Sequence, residues 1–282
     1  MTAPAADTSP VRNASAEEVR TLLATTRLND LTLLDVRMEP EYEEFHLPGA
    51  KLLPLPELPD HLGELAKDKS VVVYCRSGKR SAAAATLLAG AGFPHIINML
   101  GGAMAWQGAA ATGAPDSGLT LLSGRETPAQ ILLAALGMEA ALGAFYTKLA
   151  RGTADDATRD TFTRLAGFED RHLHRVHGLY RKATNDDTAL ETLLAGRGPE
   201  LEGGRPGGDF LAQLGGEPDS PQEALELAAS VEAQALDLYA RLAGLAEAPE
   251  SVTLCVGLAQ EEKAHLRAVS NLARQLLAPS NV

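Results

Sequence analysis

The hydrophobic and polar positions of the first 110 residues alternate between two short-range patterns. Short apolar runs bounded by Asp, Gly or Pro predict strands at residues 31–36, 50–53, 71–75 and 95–98. Amphipathic stretches between them predict helices at residues 39–45, 57–66, 79–91 and 102–109. A further helix is predicted from the capping box of Ser15 and Glu18 to about residue 26. Strands alternating with helices predict a mostly parallel α/β sheet, and residues 1–13 predict a flexible tail.

Beyond residue 125 the pattern changes to long, Ala/Leu-rich helices. Residues 113–125 are rich in Gly and Ser and predict a linker, after which Thr127 and Pro128 mark a helix start. Four helices follow, predicted at residues 128–151, 154–183, 221–247 and 249–277. The Gly-rich residues 184–219 predict a long connection without strands. The predicted domains are therefore an α/β domain at 14–112 and an all-α four-helix bundle at 126–278.

The helical half repeats itself with an offset of 93 residues. Matches at positions that are not merely apolar are the informative ones. They pair Pro128 with Pro221, Glu139 with Glu232, Tyr146 with Tyr239, Glu169 with Glu262, and His172 with His265. Because such residues rarely coincide in one register by chance, the sequence predicts a duplicated helix pair.

Composition and charge exclude several classes of function. The net charge is −12 and neither half of the chain is basic, so nucleic acid is not expected as a partner. The two cysteines, Cys75 and Cys255, do not make a disulfide framework, and Cys255 sits in an apolar helical stretch typical of a buried small residue. We found neither a signal-like N-terminus nor an apolar run of about 18 residues, which predicts a cytoplasmic protein without a membrane span.

A cysteine loop follows the third predicted strand and precedes an Ala-rich helix. Open α/β folds place ligands at this edge of a parallel sheet. Loop N–H groups, the helix N-terminus and the nearby cations favour a thiolate and an anionic ligand. The predicted reactive residue is Cys75, in an anion-binding loop of Arg76, Ser77, Gly78, Lys79 and Arg80. A phosphatase loop needs Cys-x5-Arg, but Ser81 holds that position, so sulfur transfer is favoured and phosphoryl transfer is the weaker alternative.

This first part resembles the rhodanese (sulfurtransferase) family over roughly residues 14–112. The motif beginning Leu34-Asp35-Val36-Arg37 is similar to an early family signature, and Gly101-Gly102 with Ala105-Trp106 is similar to a closing one. The resemblance implies that Cys75 takes sulfur from a donor such as thiosulfate as a persulfide and passes it to a thiol acceptor. It also implies that Arg76 and Arg80 orient the donor, while Asp35 braces the loop.

A constellation of carboxylates and histidines repeats in the helical half. Each predicted helix pair offers one lone Glu and one Glu-x-x-His, and the latter places both side chains on one helix face. The candidate metal ligands are Glu139, Glu169, His172, Glu232, Glu262 and His265. This count matches the di-iron or di-manganese carboxylate proteins, because four carboxylates offset two divalent cations and two imidazoles complete the ligand set.

Residues 126–278 resemble the rubrerythrin/ferritin-like family. The resemblance implies that Glu169 and Glu262 bridge two iron ions, with manganese as an alternative, and that no organic cofactor is needed. Tyr146 and Tyr239 would either hydrogen-bond to the ligands or simply pack. Electrons would come from a separate protein, since the chain has no Cys-x-x-Cys, and the bundle would offer a homodimer surface.

Two functions follow from these resemblances. The first is a sulfurtransferase coupled to a di-iron peroxidase or oxidoreductase. The alternative is a persulfide carrier or sensor attached to a metal-free, dimerising helical scaffold.

Overall fold

The computed structural model describes residues 9–119, 121–198 and 200–276, and the chain divides into two compact units. The first unit comprises residues up to 108 together with 112–115, and the second comprises residues 109–111 and those from 116 onward. The predicted linker, 113–125, is therefore divided between the units, with most of it in the second.

A five-stranded sheet with all neighbours parallel organises the first unit, which confirms the predicted α/β class. The strand order is β1-β5-β4-β2-β3. The strands are β1 (Val11–Ala14), β2 (Leu31–Asp35), β3 (Lys51–Leu52), β4 (Ser70–Tyr74) and β5 (Ile96–Met99). The helices are α1 (Ala16–Thr25), α2 (Glu39–Glu44), α3 (Leu58–His61) and α4 (Lys79–Gly90), and a 3₁₀ helix spans Gly102–Ala105.

The edge strand β1 corrects the prediction of a flexible tail over residues 1–13. Val11 pairs with Ile96, and Ala14 pairs with Met99 and is almost fully buried. The Asn98 side-chain amide also donates to Asn13 Oδ1 at 2.9 Å. Only the two ends of this four-residue strand are apolar, so its sequence carries no alternating pattern. The rest of the predicted tail, residues 1–8, lies outside the described residues.

The central strand β4 is apolar on both faces, as a covered parallel strand requires. Val71 and Val73 pack into the core on one face of the sheet, and Val72 and Tyr74 into the core on the other. All four side chains are fully buried. The sheet thus holds the end of β4, and the residue that follows it, Cys75, in a fixed place.

Four long helices make up most of the second unit. They are α5 (Pro128–Gly152), α6 (Asp156–Thr184), α9 (Pro221–Leu245) and α10 (Pro249–Leu276). Helix α5 packs along α6, and α9 packs along α10. Thr127, Asp155 and Ser220 each cap the helix that follows by accepting a hydrogen bond from a backbone N–H of its first turn.

The connection between α6 and α9 is more ordered than predicted. It contains the short helices α7 (Leu190–Leu194) and α8 (Gly207–Leu214) and a two-stranded antiparallel ladder of β6 (Glu200–Leu201) and β7 (Arg205–Pro206). The prediction that this half lacks strands was therefore wrong. Gly203 and Gly204, with φ of 77° and 72°, make the tight turn between the two strands.

The middle of helix α9 is covered on all sides, in contrast to α5. Nine consecutive residues, 231–239, are buried. The turn between β6 and β7 lies directly on α9, because a Cβ placed on Gly203 would meet Gln234 Cγ at 2.5 Å. In the segment that the sequence predicts as a linker, the Ser117 carbonyl accepts a hydrogen bond from Arg241 of α9 at 2.8 Å. In α5, buried and more exposed positions alternate at helical spacing.

Helix α5 is long and apolar enough, by length and composition, to cross a membrane. The sequence predicts no membrane span, because it contains no run of about 18 apolar residues. Half of its most apolar stretch is buried inside the protein, which is typical of the core helix of a globular unit.

Candidate active site and candidate metal centre

Cys75 lies at the carboxyl end of β4, in the loop that leads into α4. Its side chain is buried, with 1% exposed. Gly78 ends the loop with φ of 94°, a left-handed conformation that favours glycine. This conformation aims the Gly78 N–H at the sulfur, to which it donates at 3.1 Å. The loop therefore wraps its backbone donors around the Cys75 Sγ.

These donors change the acidity of Cys75. Burial opposes ionisation of the thiol, but hydrogen bonds from the Ser81 amide and hydroxyl, and then from the Ser77 and Gly78 amides, outweigh it. The net result is that the pKa of Cys75 is lowered. A thiolate is the nucleophilic form of cysteine, so the loop favours the reactive species.

The 3₁₀ helix Gly102–Ala105 supports the loop from behind. The Ala103 N–H donates to the Cys75 carbonyl at 2.7 Å, and the Met104 N–H donates to the Arg76 carbonyl at 3.0 Å. Gly102 has φ of 57°, and a Cβ there would lie 2.1 Å from the Cys75 carbonyl oxygen. The Gly101-Gly102 motif is thus explained by close backbone contact with the cysteine loop.

The cations of the loop are placed differently from one another. Arg80 donates to both carboxylate oxygens of Glu41, at 2.7 Å each, in a bidentate pair. Arg80 thus has an acidic partner that sequence reasoning missed, and its role in orienting the sulfur donor stays a prediction. The Arg76 and Lys79 side chains are exposed, as is Ser77. Arg76 and Lys79 are therefore the loop cations that face solvent.

Asp35, predicted to brace the fold, forms a buried ion pair. The Arg37 guanidinium donates to its carboxylate at 2.6 and 2.9 Å and to the Phe45 carbonyl at 2.7 Å. Arg37 also lies over the rings of Phe45 and Tyr74. This pair joins the end of β2 to the chain that follows α2, beside the last residue of β4.

The six candidate metal ligands are brought together by the four long helices. Glu139 lies on α5, Glu169 and His172 on α6, Glu232 on α9, and Glu262 and His265 on α10. Their ligand atoms form three groups, each lying within 4.8 Å. The groups are Glu139 with His172 and Glu262, Glu232 with Glu262 and His265, and Glu169 with both histidines. Glu262 belongs to two of the groups.

Hydrogen bonds and ion pairs connect these side chains directly. His265 Nδ1 lies 3.2 Å from both Glu232 and Glu262, and His172 Nδ1 contacts Glu139. The two imidazole rings meet edge to face, with centroids 4.1 Å apart. Glu261, which sequence reasoning missed, contacts His172 Nε2 at 2.9 Å. The sequence signal that could have found Glu261 is a carboxylate directly before a Glu-x-x-His motif. The motif on α10 has such a residue, and the motif on α6 does not.

The protonation of this cluster tests whether it suits metal ions. Burial, together with the charges of Glu232 and Glu262, raises the pKa of Glu169 well above its usual range. Although burial opposes its protonation, the same two carboxylates raise the pKa of His265 to about 11. Four buried carboxylates thus attract protons to offset their charge. Divalent cations would offset it instead, and the oxygen and nitrogen donors suit iron or manganese.

Three other residues noted in the sequence are also buried. Tyr146 and Tyr239 are fully buried at equivalent positions on α5 and α9. Cys255 is buried in α10, and burial, with the charge of Glu126, raises its pKa to about 12. Its thiol is therefore the unreactive one of the two.

The first unit combines a parallel sheet, a buried cysteine at its carboxyl edge and a loop of N–H donors around the sulfur. These features define an α/β domain with a cysteine whose thiolate form is favoured. Residues 15–109 match the rhodanese-like domain family. The chain belongs to this family through a domain that occupies about a third of its length.

Sequence relatives match between 28% and 34% of the chain. Over 96 residues the chain is 36% identical to a sulfurtransferase of Allochromatium vinosum, covering 34% of this chain and 88% of that protein. It is 33% identical to the thiosulfate sulfurtransferase GlpE of Coxiella burnetii, covering 28% and 73%. It is 38% identical to the putative sulfur carrier protein YrkF of Bacillus subtilis, but spans only 42% of that protein's length, with 28% of this chain covered.

Proposed function

We propose that the first unit is a sulfurtransferase in which Cys75 carries a sulfane sulfur as a persulfide. The observation that carries this proposal is the ring of N–H donors around the Cys75 sulfur, which lowers its pKa. The same donors would hold the outer sulfur of a persulfide, which is anionic when deprotonated. Relatives named as a sulfurtransferase and a thiosulfate sulfurtransferase support thiosulfate as the class of donor.

The proposed reaction has two displacements. The Cys75 thiolate attacks the outer sulfur of thiosulfate, a new sulfur–sulfur bond forms, and sulfite leaves with the electron pair of the broken bond. An acceptor thiolate then attacks the outer sulfur of the persulfide, and the Cys75 thiolate leaves. Each step exchanges one sulfur–sulfur bond for another, so no external oxidant or reductant is required. Exposed Arg76 and Lys79 would attract the dianionic donor.

Phosphoryl transfer is less well supported by the same loop. The arginine closest to a phosphatase position, Arg80, is held by Glu41 through both ends of its guanidinium. At the position where a phosphatase needs arginine, Ser81 is buried and donates to the Gly78 carbonyl at 3.2 Å. Neither of these two positions thus offers a free guanidinium to close around a phosphate.

Two single-cysteine variants test the sulfurtransferase proposal. Cys75→Ser should abolish thiocyanate formation from thiosulfate and cyanide, and intact-mass analysis should no longer detect one added sulfur atom. Cys255→Ser is the matched control, because its buried thiol should contribute nothing to transfer. Unchanged thiocyanate formation in Cys75→Ser would refute the proposal, and turnover of an aryl phosphate at Cys75 would support the phosphatase instead.

For the second unit, we infer a ferritin-like centre that binds two iron ions, with manganese as the alternative. Glu139 and His172 would hold one ion, Glu232 and His265 the other, and Glu262, which belongs to both groups of ligand atoms, would contribute to both. Glu169, near both histidines, would be the second bridging carboxylate. Bound iron would supply redox chemistry toward peroxide or oxygen, with electrons from a separate donor protein. Glu261 would hold the orientation of His172 through Nε2.

Metal analysis tests this centre independently of sulfur transfer. After anaerobic reconstitution with ferrous iron, the wild-type chain should hold two ions, and a Glu169→Gln/Glu262→Gln variant should lose them. Glu191→Gln/Glu226→Gln is the control, because both glutamates are exposed on other helices. No bound metal in the wild type would refute the centre and leave the alternative of a persulfide carrier with a helical scaffold.

A further inference from the structure

A cleft between α5 and α6 opens from solvent toward the carboxylate–histidine cluster. Its volume is about 480 Å³, comparable with small-molecule sites. Two of the buried carboxylates, Glu139 and Glu169, line it. One wall is made of small residues of α5, namely Ala140, Gly143 and Ala144. These residues have little side chain to fill the space, so the cleft is built by the sequence of α5.

At the equivalent positions of the second helix pair, larger side chains are buried. Ninety-three residues further on, Gly143 corresponds to Leu236 and Ala144 to Asp237. Both are buried in α9, and Asp237 forms an ion pair of 2.7 Å with Arg241, the counterpart of Lys148. Arg241 in turn donates to the Ser117 carbonyl. The positions that hold small, more exposed residues in α5 therefore hold larger, buried residues in α9.

We propose that the α5–α6 cleft is the route by which a small inorganic anion reaches the metal centre, and that access is one-sided. This inference rests on the proposed metal centre and adds its route of entry and class of ligand. The cleft contributes space and charge. Its small side chains admit the ligand, and the carboxylates at the inner end of the cleft belong to the metal centre.

The charges of the cleft favour an anion. Lys148 and Arg151 line the cleft with exposed side chains, and Asp170 is the one acidic lining residue outside the metal cluster. The net charge of these three residues is positive. Two bound divalent cations would offset Glu139 and Glu169 at the inner end. A small anion would thus meet a favourable potential along the whole route.

Azide is a suitable probe, followed by the visible spectrum of the cobalt(II)-loaded full-length protein in a stopped-flow instrument. Ala144→Phe should fill the cleft from an exposed helix position and lower the azide association rate constant by about tenfold to a hundredfold. Cobalt content should stay at the wild-type value. Ala183→Phe is the matched control, an exposed alanine of α6 that lies ~20 Å along the helix from Asp170.

A charge variant provides an independent arm that does not depend on filling the cleft. Lys148→Glu/Arg151→Glu should slow azide association roughly tenfold at low ionic strength, and added salt should remove the difference. Wild-type azide kinetics in both variants, at full cobalt content, would overturn the one-sided route while leaving the metal centre intact. Absence of cobalt or iron from the wild-type chain would overturn the metal centre and this inference together, and metal analysis separates the two failures.

Discussion

Gly102 is the residue at which a single methyl group should most strongly disturb the cysteine loop. In Gly102→Ala the new Cβ would lie 2.1 Å from the Cys75 carbonyl oxygen and 2.7 Å from the Arg76 carbonyl carbon. Both contacts are with backbone atoms, so no side-chain rotation can relieve them. The 3₁₀ helix must move away from the loop, or the loop must move away from it.

The expected loss of stability follows from three contributions. A non-glycine residue at φ of 57° costs about 1–2 kcal/mol. Displacement of the 3₁₀ helix weakens the hydrogen bonds from Ala103 and Met104 to the loop, each contributing about 0.5–1.5 kcal/mol. Taken together, the free energy of unfolding of the first unit should fall by about 2–5 kcal/mol, a large part of a typical 5–15 kcal/mol.

Urea unfolding followed by tryptophan fluorescence measures this effect in the first unit. Trp106 is the only tryptophan of the chain and directly follows the 3₁₀ helix. Gly90→Ala is the control, because a Cβ at this last residue of α4 meets nothing within 4 Å. It should leave the unfolding midpoint unchanged or raise it slightly. A Gly102→Ala midpoint equal to that of Gly90→Ala would show that the loop does not depend on this close contact.

Three further results are expected. Glu41→Gln should free Arg80 and lower the KM for thiosulfate while changing the free energy of unfolding by less than about 1 kcal/mol, which steady-state kinetics and urea unfolding would check. Iodoacetamide at neutral pH should alkylate Cys75 much faster than Cys255, whose pKa is about 12, and equal alkylation rates would contradict the lowered pKa of Cys75. Because the folded-state pKa of Cys75 is lowered, the stability that its thiolate contributes should be lost as pH falls through that pKa. In the metal-free chain the pKa of Glu169 is raised, so the fold loses stability as pH rises from the ordinary pKa of a glutamate towards this raised pKa. Glu169→Gln should therefore raise the melting temperature in EDTA at neutral pH, as measured by circular dichroism, and a lower value would contradict the repulsion.

Sequence periodicity predicted most elements of the sheet and the long helices because their burial follows strand and helix spacing. Strand β4 is apolar on both faces, and the capping residue Thr127 with Pro128 fixed the start of α5. The cysteine loop followed from its position between a strand and a helix. The hairpin-like β6–β7 ladder was missed, since two-residue strands carry no period.

Contacts between distant segments could not be predicted in the same way. The pair of Glu41 and Arg80 joins residues 39 positions apart, and it depends on α2 reaching the start of α4. Strand β1 was missed because Arg12 and Asn13 are polar and face outward. In α9, the buried polar residues Gln234 and Asp237 resemble a solvent-facing side, although other chain segments cover them.

The burial of the middle of α9 on all sides has a consequence for folding during synthesis. The segments that cover α9 precede it in the chain. They are the segment around Ser117, which was predicted as a linker, the turn at Gly203, and helices α5 and α6. On the ribosome, most of the surface that receives α9 therefore emerges before the helix itself. Only α10 emerges afterwards, so the buried middle of α9 lacks a packing partner only until α10 has been made.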